Sequence, residues 1–402
     1  MEGMTKIALD MPSTVAIAAI LLLLGEWTKN RVGIFKKYFI PAPVIGGLIF
    51  SIFNLVNYEM GWFNIVFYTD MQKFLLLVFF TSVGFLASFE LLKKGGVGVA
   101  LFLGCAIVLV LIQNTVGVFL AKTLEIHPLL GLAAGSISLT GGHGTSAAFG
   151  PILEKAGAVG ALPASIAAST WGLVAGCAIG GPVGLALLKR YKIDTSKIAI
   201  NVPKEQEVET SILVKENNQD SIMYATLLIT ICIGFGTIVV NVLKDFGITI
   251  PAYLGPMLVA ACVRNVIDAK DWHLPLQQFN IMGTVSLSFF LTMALMSMKL
   301  WELASIAGPL LIILVIQTII MAFFAYFVTF RIMGKDYDAA VISAGHCGFG
   351  LGATPNAMAN MEAFTAVHGI SLKAFFVVPL VGSLFIDFFN ALIISYFVEF
   401  FK

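Results

Sequence analysis

The sequence predicts an all-α membrane protein of about ten transmembrane helices, arranged as two inverted-topology repeats of five helices, each with a re-entrant loop. Three observations support this prediction: the composition, the number of long apolar runs, and a series of matching landmarks in the two halves. Of 402 residues, 58% are hydrophobic and 12% are charged, and the mean hydropathy is +0.94. Soluble domains carry roughly 25% charged residues, so we expect an integral membrane protein.

The apolar runs provide for about ten crossings, since a membrane-spanning helix needs about 20 mostly apolar residues. In the first half we expect spans near 12–28, 41–58, 72–92, 97–121 and 165–188. In the second half we expect spans near 221–244, 251–267, 283–299, 304–330 and 372–398. The chain is therefore expected to form one multi-span bundle.

A polar segment divides the chain into two membrane halves. It runs from Lys189 to Gln219 and is the only long stretch with dense mixed charge. The predicted organisation is an N-terminal repeat over 1–188 with a re-entrant loop near 133–160, a cytoplasmic linker over 189–220, and a C-terminal repeat over 221–402 with a re-entrant loop near 339–366. We expect the linker to have only a structural role.

The distribution of basic residues predicts the orientation in the membrane. With the N-terminus outside, 17 of the 24 basic residues face the cytoplasm, as the positive-inside rule requires. These are Lys29, Arg31, Lys36, Lys37, Lys93, Lys94, Lys189, Arg190, Lys192, Lys197, Lys204, Lys215, Arg264, Lys270, Arg331, Lys335 and Lys373. Both termini are then outside, and the linker is inside.

The two halves share landmarks in the same order. "FIPAPVIGGLI" at Phe39 matches "TIPAYLGPMLV" at Thr249, "VLIQNTVGVFLA" at Val110 matches "LVIQTIIMAFFA" at Leu314, and "LTGGHG" at Leu139 matches "SAGHCG" at Ser343. Because five spans is an odd number, the second copy enters the membrane upside down. Repeats of this kind place a substrate site at their interface near the membrane midplane.

Both halves contain a Gly-His pair among small residues, in "AAGSISLTGGHGTSAAFGP" from Ala133 and "VISAGHCGFGLGATPNAMANM" from Val341. Non-helical backbone is tolerated at membrane depth only where protein buries it or water lines it. We therefore expect two re-entrant hairpins, the first entering from outside and the second from the cytoplasm. Their tips are expected at Gly142 and Gly348, where only glycine allows a positive φ and a close backbone approach.

Such tips expose the N-terminus of one half-helix, whose free N–H groups suit a carboxylate. They also expose the C-terminus of another half-helix, whose free carbonyl groups suit a small cation. Hydroxyl and amide side chains add oxygen ligands that favour Na⁺ over a transition metal. They are Ser136, Ser138, Thr140, Thr145 and Ser146 in the first loop, and Ser343, Thr354, Asn356 and Asn360 in the second. The alternative is ordinary small-residue packing between membrane helices.

Four further polar residues lie in apolar surroundings. Asp387 is a carboxylate deep in the last apolar run, where charge is costly and marks a functional site by default; its partner would be an imported cation or a substrate ammonium, or it caps the broken helix. Asn390 shares its helix face at i+3. Gln113 and Gln317 occupy the same repeat position and are expected to form interhelical hydrogen bonds or to contact substrate.

The two histidines of the loops, His143 and His346, have no second histidine or carboxylate at metal-ligand spacing. We expect their rings to bond to neighbouring backbone and so to hold the hairpins, with substrate contact and proton transfer as alternatives. The five cysteines are isolated and are expected to be small buried residues. A net charge of +1 without a basic patch excludes nucleic-acid binding.

Long segments of the chain resemble the bacterial sodium/glutamate symporter family: "SISLTGGHGTSAAF", "GTVSLSFFLTMALMSMKLWELA", "YDAAVISAGHCGFGLGATPNAMANM" and "VPLVGSLFIDFFNALI". The resemblance covers nearly the whole chain except the linker and the termini. It implies import of L-glutamate driven by Na⁺ across the bacterial inner membrane, and an elevator-like homodimer. It also gives functional weight to Gly141, Gly142, His143, Gly144, Gly348, Phe349 and Gly350.

From the residues and the resemblance together, two sets of site residues are expected. The substrate set is Ser136, Thr140, Gly141, Gly142, His143, Gly144, Thr145, Gly348, Phe349, Gly350, Thr354, Asn356, Asp387 and Asn390. The Na⁺ candidates are Ser138, Ser343, Asn360 and Asp387. The alternatives are a Na⁺-coupled carrier of another small carboxylate, an ion channel, and an intramembrane hydrolase that would pair Cys347 with His143.

Overall fold

A computed structural model describes residues 5–37, 40–88, 90, 96–193, 195, 219–246, 252–270, 272–303 and 306–401. The first half contains helices α1 (Met11–Arg31), α2 (Gly33–Lys37), α3 (Ala42–Met60), α4 (Asp70–Leu86), α5 (Gly96–Thr123), α6 (Pro128–Ala133), α7 (Gly142–Lys155) and α8 (Ala161–Tyr191).

The second half repeats this pattern of long helices with a hairpin before the last span. Its helices are α9 (Gln219–Asp245), α10 (Leu254–Asp268), α11 (Leu276–Met296), α12 (Ala307–Phe324), α13 (Phe330–Ile332), α14 (Tyr337–Leu351), α15 (Thr354–His368), α16 (Leu372–Leu384) and α17 (Ile386–Phe401). A short 3₁₀ helix at Leu300–Glu302 precedes α12, and a π-helical turn at Ala325–Thr329 joins α12 to α13.

Among the described residues, seven helices are long and apolar enough to cross a membrane, and α16 with α17, bent by 45°, makes an eighth span. These eight coincide with eight of the ten expected spans. The other two expected spans, 72–92 and 251–267, correspond to α4 and α10, which have 17 and 15 residues. Lys189 and Arg190, which were expected in the linker, form the last turn of α8. Linker residues 194 and 196–218 lie outside the described residues.

The all-α prediction misses two short parallel strands, β1 (Thr5–Ala8) and β2 (Phe63–Val66). Asn57, near the end of α3, explains why β2 forms where it does. Its side chain donates to the carbonyl of Phe63 at 2.6 Å and accepts from the N–H of Phe63 at 3.2 Å. These bonds hold the segment after α3 extended, so β1 can pair with it at the end of the protein where α3 ends and α4 begins, called here the α3–α4 end.

The helices form two bundles. In the scaffold bundle, α4 packs against α10 and α11, α3 packs against α1 and α11, and α9 packs against α10. In the hairpin bundle, which holds α5 to α8 and α12 to α17, α8 packs against α7 and α14, and α15 packs against α14 and α16. Contacts between α7 and α11, between α16 and α4, and from α17 to α4 and α10 connect the two bundles.

The scaffold bundle contains two equivalent helix crossings. Each is formed by one helix of the first half and one helix of the second half. Where α3 crosses α11, a Cβ on Gly47 would lie 2.4 Å from the Cβ of Leu295. Where α10 crosses α4, a Cβ on Gly84 would lie 2.2 Å from the carbonyl oxygen of Met257. Gly47 and Met257 occupy matching positions in the two Ile-Pro-Ala landmarks. Each crossing is therefore close enough to require glycine on one helix.

Candidate functional site

The site lies where two helical hairpins of the hairpin bundle meet. The first hairpin, Pro128–Lys155, consists of α6, a run of turns over 134–141, and α7. The second hairpin, Tyr337–His368, consists of α14 and α15 joined at Gly352 and Ala353. Both hairpins are mostly buried.

The two hairpins touch each other and share one amide from α5. Gln113 donates a hydrogen bond from Nε2 to the carbonyl oxygen of Gly350 at 2.7 Å. Thr140 donates to Oε1 of Gln113 at 2.8 Å, and its hydroxyl lies 3.5 Å from the same Gly350 oxygen. A Cβ on Gly142 would lie 3.2 Å from the carbonyl oxygen of Gly352. Residues from both loops are thus brought together, as the sequence predicted for a shared site.

The first hairpin turns where glycine is required. Gly142 has φ +63°, a left-handed conformation that side chains disfavour. The preceding turn is closed by the N–H of Gly141, which donates to the carbonyl of Ser136 at 2.8 Å. A Cβ on Gly141 would lie 2.6 Å from Oγ1 of Thr145, so Thr145 packs directly under the turn. Gly142 thus has the positive φ that was expected of the hairpin tip.

The second hairpin turns later than the sequence analysis placed it. Gly348, Phe349 and Gly350 lie inside α14, and the chain leaves the helix at Gly352 and Ala353. The predicted tip at Gly348 is wrong, and Gly348 has no positive φ. It is nonetheless needed for packing, because a Cβ there would lie 2.7 Å from the carbonyl group of Asn356 on α15.

A second polar group surrounds Ser136 in the first hairpin. Oδ1 of Asn114 on α5 accepts from the backbone N–H of Ser136 at 3.0 Å. Nδ2 of Asn390 on α17 donates to the carbonyl of Ser136 at 3.1 Å. All three residues are fully buried. The Asn114 amide nitrogen, the Ser136 hydroxyl and the Asn390 amide oxygen are buried and have no hydrogen-bond partner among the described residues.

Asp387 lies beside this group, three residues before Asn390 on α17. It occupies the first turn after the 45° bend between α16 and α17 and is partly buried. In the part of the chain that the structure describes, no side chain forms an ion pair with it, and no donor satisfies its carboxylate. The backbone-capped alternative thus has no hydrogen bond to support it.

Both loop histidines bond to threonine hydroxyls, and not to backbone as the sequence analysis expected. Nε2 of His143 lies 3.1 Å from Oγ1 of Thr170 on α8. Nδ1 of His346 lies 2.8 Å from Oγ1 of Thr329, in the π-helical turn. Aromatic rings surround His346, and the centroids of the Phe102 and His346 rings are 4.8 Å apart. The histidines therefore tie their hairpins to neighbouring helices, as predicted, but through side chains.

Among the described residues, no hydrogen bond joins the four Na⁺ candidates to one another. Ser138 donates to the carbonyl of Gly135 at 3.3 Å, and Ser343 donates to that of Ala339 at 2.8 Å, which are local bonds within each hairpin. Asn360 donates to the carbonyls of Gly176 and Ala344. No contact in the described ranges joins these three residues to Asp387. The other residues predicted for the site mostly pack against neighbouring helices.

Several of the predicted site residues hold neighbouring helices together. Asn356 donates to the carbonyl of Leu173 at 2.8 Å and so joins α15 to α8. The hydroxyl of Thr354 would lie 2.6 Å from a Cβ on Gly382, and Phe349 packs against the same glycine. Gly144 faces the scaffold bundle, since a Cβ there would lie 3.1 Å from Leu287 on α11.

Sequence reasoning missed Asn114. It noted Gln113 because of the matching Gln317, and it passed over the neighbouring amide. The signal was available: two consecutive amides interrupt the apolar run of α5, which is otherwise unbroken from Gly96 to Val116 except for small residues. Consecutive helix residues point about 100° apart, so an amide pair can serve two partners.

A cavity of about 1040 Å³ opens between the two bundles at the α3–α4 end. Lys73 and Lys299 of the scaffold side and Glu154 and Lys155 of the hairpin side line it. Its deeper wall includes Phe149 of α7 and Tyr253, whose ring centroids are 5.5 Å apart. This aromatic contact joins the first hairpin to the scaffold bundle.

Comparison with known proteins decides the family. The family model for the sodium/glutamate symporter matches residues 7–370. The sodium/glutamate symporter of Escherichia coli (strain K12) is 43% identical over 394 residues, covering 96% of this chain and 97% of that protein. The sodium/glutamate symporter of Haemophilus influenzae is 41% identical over 385 residues, covering 95% of each.

The chain belongs to the sodium/glutamate symporter family. The match to the family model includes both hairpins, whereas Asp387 and Asn390 follow its end. Membership of a symporter family places the chain among transporters and not enzymes. In the hydrolase alternative His143 would pair with Cys347, but its described hydrogen bond is to Thr170.

Proposed function

We propose that this protein imports L-glutamate together with Na⁺ by alternating access around the site between the two hairpins. The observation that carries the proposal is the hydrogen bond from Gln113 to Gly350, because it brings a span of one half and the hairpin of the other half to a single buried point. The relatives named as sodium/glutamate symporters support the choice of solute and coupling ion.

The charges in the hairpin bundle favour a coupled cation. Its described basic residues lie at or near helix ends or in the turns between helices, as Lys122 and Lys155 do, so none is positioned to neutralise a carboxylate at the hairpin tips. Glutamate carries a net negative charge, and Asp387 adds another. The N–H groups at the start of α7 and α15 would hold carboxylate oxygens, while Na⁺ would balance the charge, with oxygens of Ser138, Ser343, Asn360 and Asp387 as its candidate ligands.

The arrangement of the bundles favours an elevator-like motion. The hairpin bundle would move against the scaffold bundle, because the described contacts between them are few beside those within each bundle. Two inverted repeats, each with a re-entrant hairpin, would allow access from either face. The equivalent crossings at Gly47 and Gly84 support the repeat. The cavity at the α3–α4 end would be the outer access route.

We infer the membrane placement from the basic residues. The protein would lie in the bacterial inner membrane with both termini outside. Three cation–π pairs, Arg31 with Trp27, Lys270 with Trp272 and Arg331 with Phe327, fall at helix ends assigned to the cytoplasm. Aromatic and basic residues of this kind anchor helices at the lipid headgroups. A homodimer would form through the scaffold bundle, since that bundle would not move during transport.

Transport in proteoliposomes tests the proposal. With an inward Na⁺ gradient, purified protein should accumulate L-glutamate above its external concentration, and replacing Na⁺ with choline should stop accumulation. Equilibration without accumulation would support a channel instead. Accumulation that is unchanged in choline would overturn Na⁺ coupling, and accumulation of other small carboxylates but not glutamate would support the alternative carrier.

A further inference from the structure

We propose that Asn114, Ser136, Asn390 and Asp387 bind the head group of an α-amino acid, that is, its α-ammonium and α-carboxylate. This assignment rests on the proposed function and extends that function, because it states which part of the substrate the site recognises. It also adds Asn114, which no sequence motif singled out. The side-chain atoms that lack hydrogen-bond partners among the described residues determine which ligand groups can bind there.

The orientations of the two amides are set by their bonds to Ser136. The backbone N–H of Ser136 is a donor, so the atom of Asn114 that faces it at 3.0 Å is the oxygen, and the free atom is the NH₂ group. The carbonyl of Ser136 is an acceptor, so the atom of Asn390 that faces it at 3.1 Å is the nitrogen, and the free atom is the oxygen. If either amide were turned over, a donor would face a donor or an acceptor would face an acceptor.

The free groups therefore have both polarities. Asn114 offers N–H donors, Asn390 offers an acceptor, and the Ser136 hydroxyl can do either. An unpaired buried polar group costs free energy, so three of them, on Ser136 and on the two asparagines bonded to it, indicate a ligand that satisfies them. A bare cation would satisfy the Asn390 oxygen but would be repelled by the Asn114 NH₂ group. A simple carboxylate would satisfy Asn114 but not Asn390. A zwitterion satisfies both.

Asp387 supplies the charge that the zwitterion requires. At i and i+3 on α17, Asp387 and Asn390 lie on one face, with Cβ atoms about 5–6 Å apart. A partly buried carboxylate without a described cationic partner needs a positive ligand group. The α-ammonium of an amino acid provides it, and its three N–H donors match the oxygens of Asp387, Asn390 and Ser136.

The segment that carries Ser136 is built to admit such a ligand. Residues 134–141 form successive turns and not a helix, so this stretch can separate from α5 and α17 without breaking a helical ladder. In the described part of the chain, two side-chain hydrogen bonds tie the backbone of Ser136 to those helices: its N–H donates to Asn114, and its carbonyl accepts from Asn390. The head group would take the place of contacts between this segment and the two helices, on the side of Ser136 where the unpaired atoms lie.

The decisive variant is Asn114→Asp. It keeps the oxygen that accepts from Ser136 and replaces the free NH₂ group by a second oxygen, which repels a carboxylate. We expect calorimetric titration of purified protein to show glutamate affinity reduced about tenfold to a hundredfold, with the half-saturating Na⁺ concentration at saturating glutamate unchanged. If the group were instead a Na⁺ site, the added carboxylate would lower the half-saturating Na⁺ concentration. That result would overturn the proposal.

A matched control places the same substitution elsewhere. Asn57→Asp also introduces a carboxylate at a buried asparagine, but Asn57 lies in the scaffold bundle. It should reduce thermal stability and leave glutamate affinity unchanged. An equal loss of affinity in both variants would show a general effect of buried charge and overturn the assignment of Asn114.

Wild-type selectivity gives a test that does not depend on a variant folding. Glutarate has both carboxylates of glutamate but no amino group, so we expect it to compete with glutamate at least a hundredfold more weakly. Equal competition by glutarate would overturn head-group recognition even if Na⁺-driven glutamate uptake is intact. Absence of that uptake would instead refute the proposed function, so the two failures are distinguishable.

Discussion

Gln113 and Gly350, which are 237 residues apart in sequence, are joined by a hydrogen bond of 2.7 Å from the side-chain amide of one to the carbonyl of the other. Gly350 lies one residue before the end of α14, where carbonyl groups have no partner within the helix. Gln113 therefore caps the second hairpin, while its oxygen accepts from Thr140 of the first. One amide holds both hairpins to α5.

Replacing Gln113 by leucine should weaken this junction. The Gln113→Leu substitution leaves the buried Gly350 carbonyl and the Thr140 hydroxyl without their partner, which costs about 1–3 kcal/mol for each unsatisfied group. We expect a lower thermal denaturation temperature and a large loss of glutamate uptake. Both can be measured on the same preparation in detergent and in proteoliposomes.

The repeat-equivalent residue provides the control. Gln317 donates to the backbone carbonyl of Gln113 at 2.7 Å, and its own oxygen is already unpaired. Gln317→Leu therefore removes an unsatisfied group together with one bond, and it should affect stability and uptake less. Equal effects of the two substitutions would mean that the contact with Gly350 has no special role.

The turn at Gly142 gives a second prediction. Gly142→Val forces a branched side chain into φ +63° and towards the carbonyl of Gly352, so it should abolish uptake while the protein still inserts into the membrane. Gly104→Val is the matched control, because a Cβ on Gly104 meets nothing within 4 Å. Normal uptake by inserted Gly142→Val protein would show that the turn geometry is not needed.

The sequence was sufficient for the first hairpin and not for the second. Gly142 was identified from its glycine-rich motif, and the structure gives it a positive φ. In the second loop, three glycines between 348 and 352 made the position of the turn ambiguous. Pro355 at the start of α15 was the better signal, because proline is tolerated in the first turn of a helix and so places the turn just before it.

The polar contacts of the site could not be predicted in the same way. Periodicity shows that Asn114 and Asn390 lie in helices, but not that both approach Ser136, since that depends on how α5, α17 and the first hairpin pack in three dimensions. The threonine partners of the histidines were missed for this reason too: Thr329 reaches His346 from a π-helical turn. No local sequence rule places such a turn at Ala325–Thr329.

The contact between Phe149 and Tyr253 allows a test of elevator-like motion. These rings lie in different bundles with centroids 5.5 Å apart, so a bridge between cysteines at the two positions would prevent the bundles from moving. In a background without native cysteines, Phe149→Cys with Tyr253→Cys should lose uptake when Hg²⁺ bridges the pair and regain it when a thiol removes the ion.

A pair within the hairpin bundle is the control for that experiment. Tyr191 and Phe330 have ring centroids 4.7 Å apart and belong to the same bundle. Bridging cysteines at these two positions should leave most of the uptake. Unimpaired uptake by the bridged Phe149 and Tyr253 pair would argue against relative motion of the bundles.

Electrogenic uptake is a further expected property. If the positive charge carried in by Na⁺ exceeds the net negative charge carried in by glutamate, an inside-negative membrane potential assists import by about 2.3 kcal/mol per net charge for each 100 mV. A potassium diffusion potential set with valinomycin should therefore accelerate glutamate uptake by proteoliposomes at a fixed Na⁺ gradient. A rate independent of that potential would indicate electroneutral coupling.

The role of Asp387 follows from its lack of a partner in the part of the chain that the structure describes. Asp387→Asn keeps the shape of the side chain and removes its charge, so it should remove one charge-assisted contact with a substrate ammonium or a coupling ion. Such a contact contributes roughly 1.5–3 kcal/mol, and we expect glutamate affinity to fall about tenfold to a hundredfold. Asn390→Ala should have a smaller effect of the same kind.

A purely structural Asp387 would behave differently. If its carboxylate only stabilised the first turn of α17 beyond the bend, Asp387→Asn would lower the thermal denaturation temperature and leave the affinity of the folded protein intact. Calorimetric titration of monodisperse Asp387→Asn protein with glutamate at several Na⁺ concentrations separates the two roles. Wild-type affinity with wild-type Na⁺ dependence would exclude Asp387 as a ligand. A loss that follows Na⁺ concentration would assign the carboxylate to the ion, and a loss that persists at saturating Na⁺ would assign it to the ammonium, because only the second contact is independent of how fully the ion site is occupied.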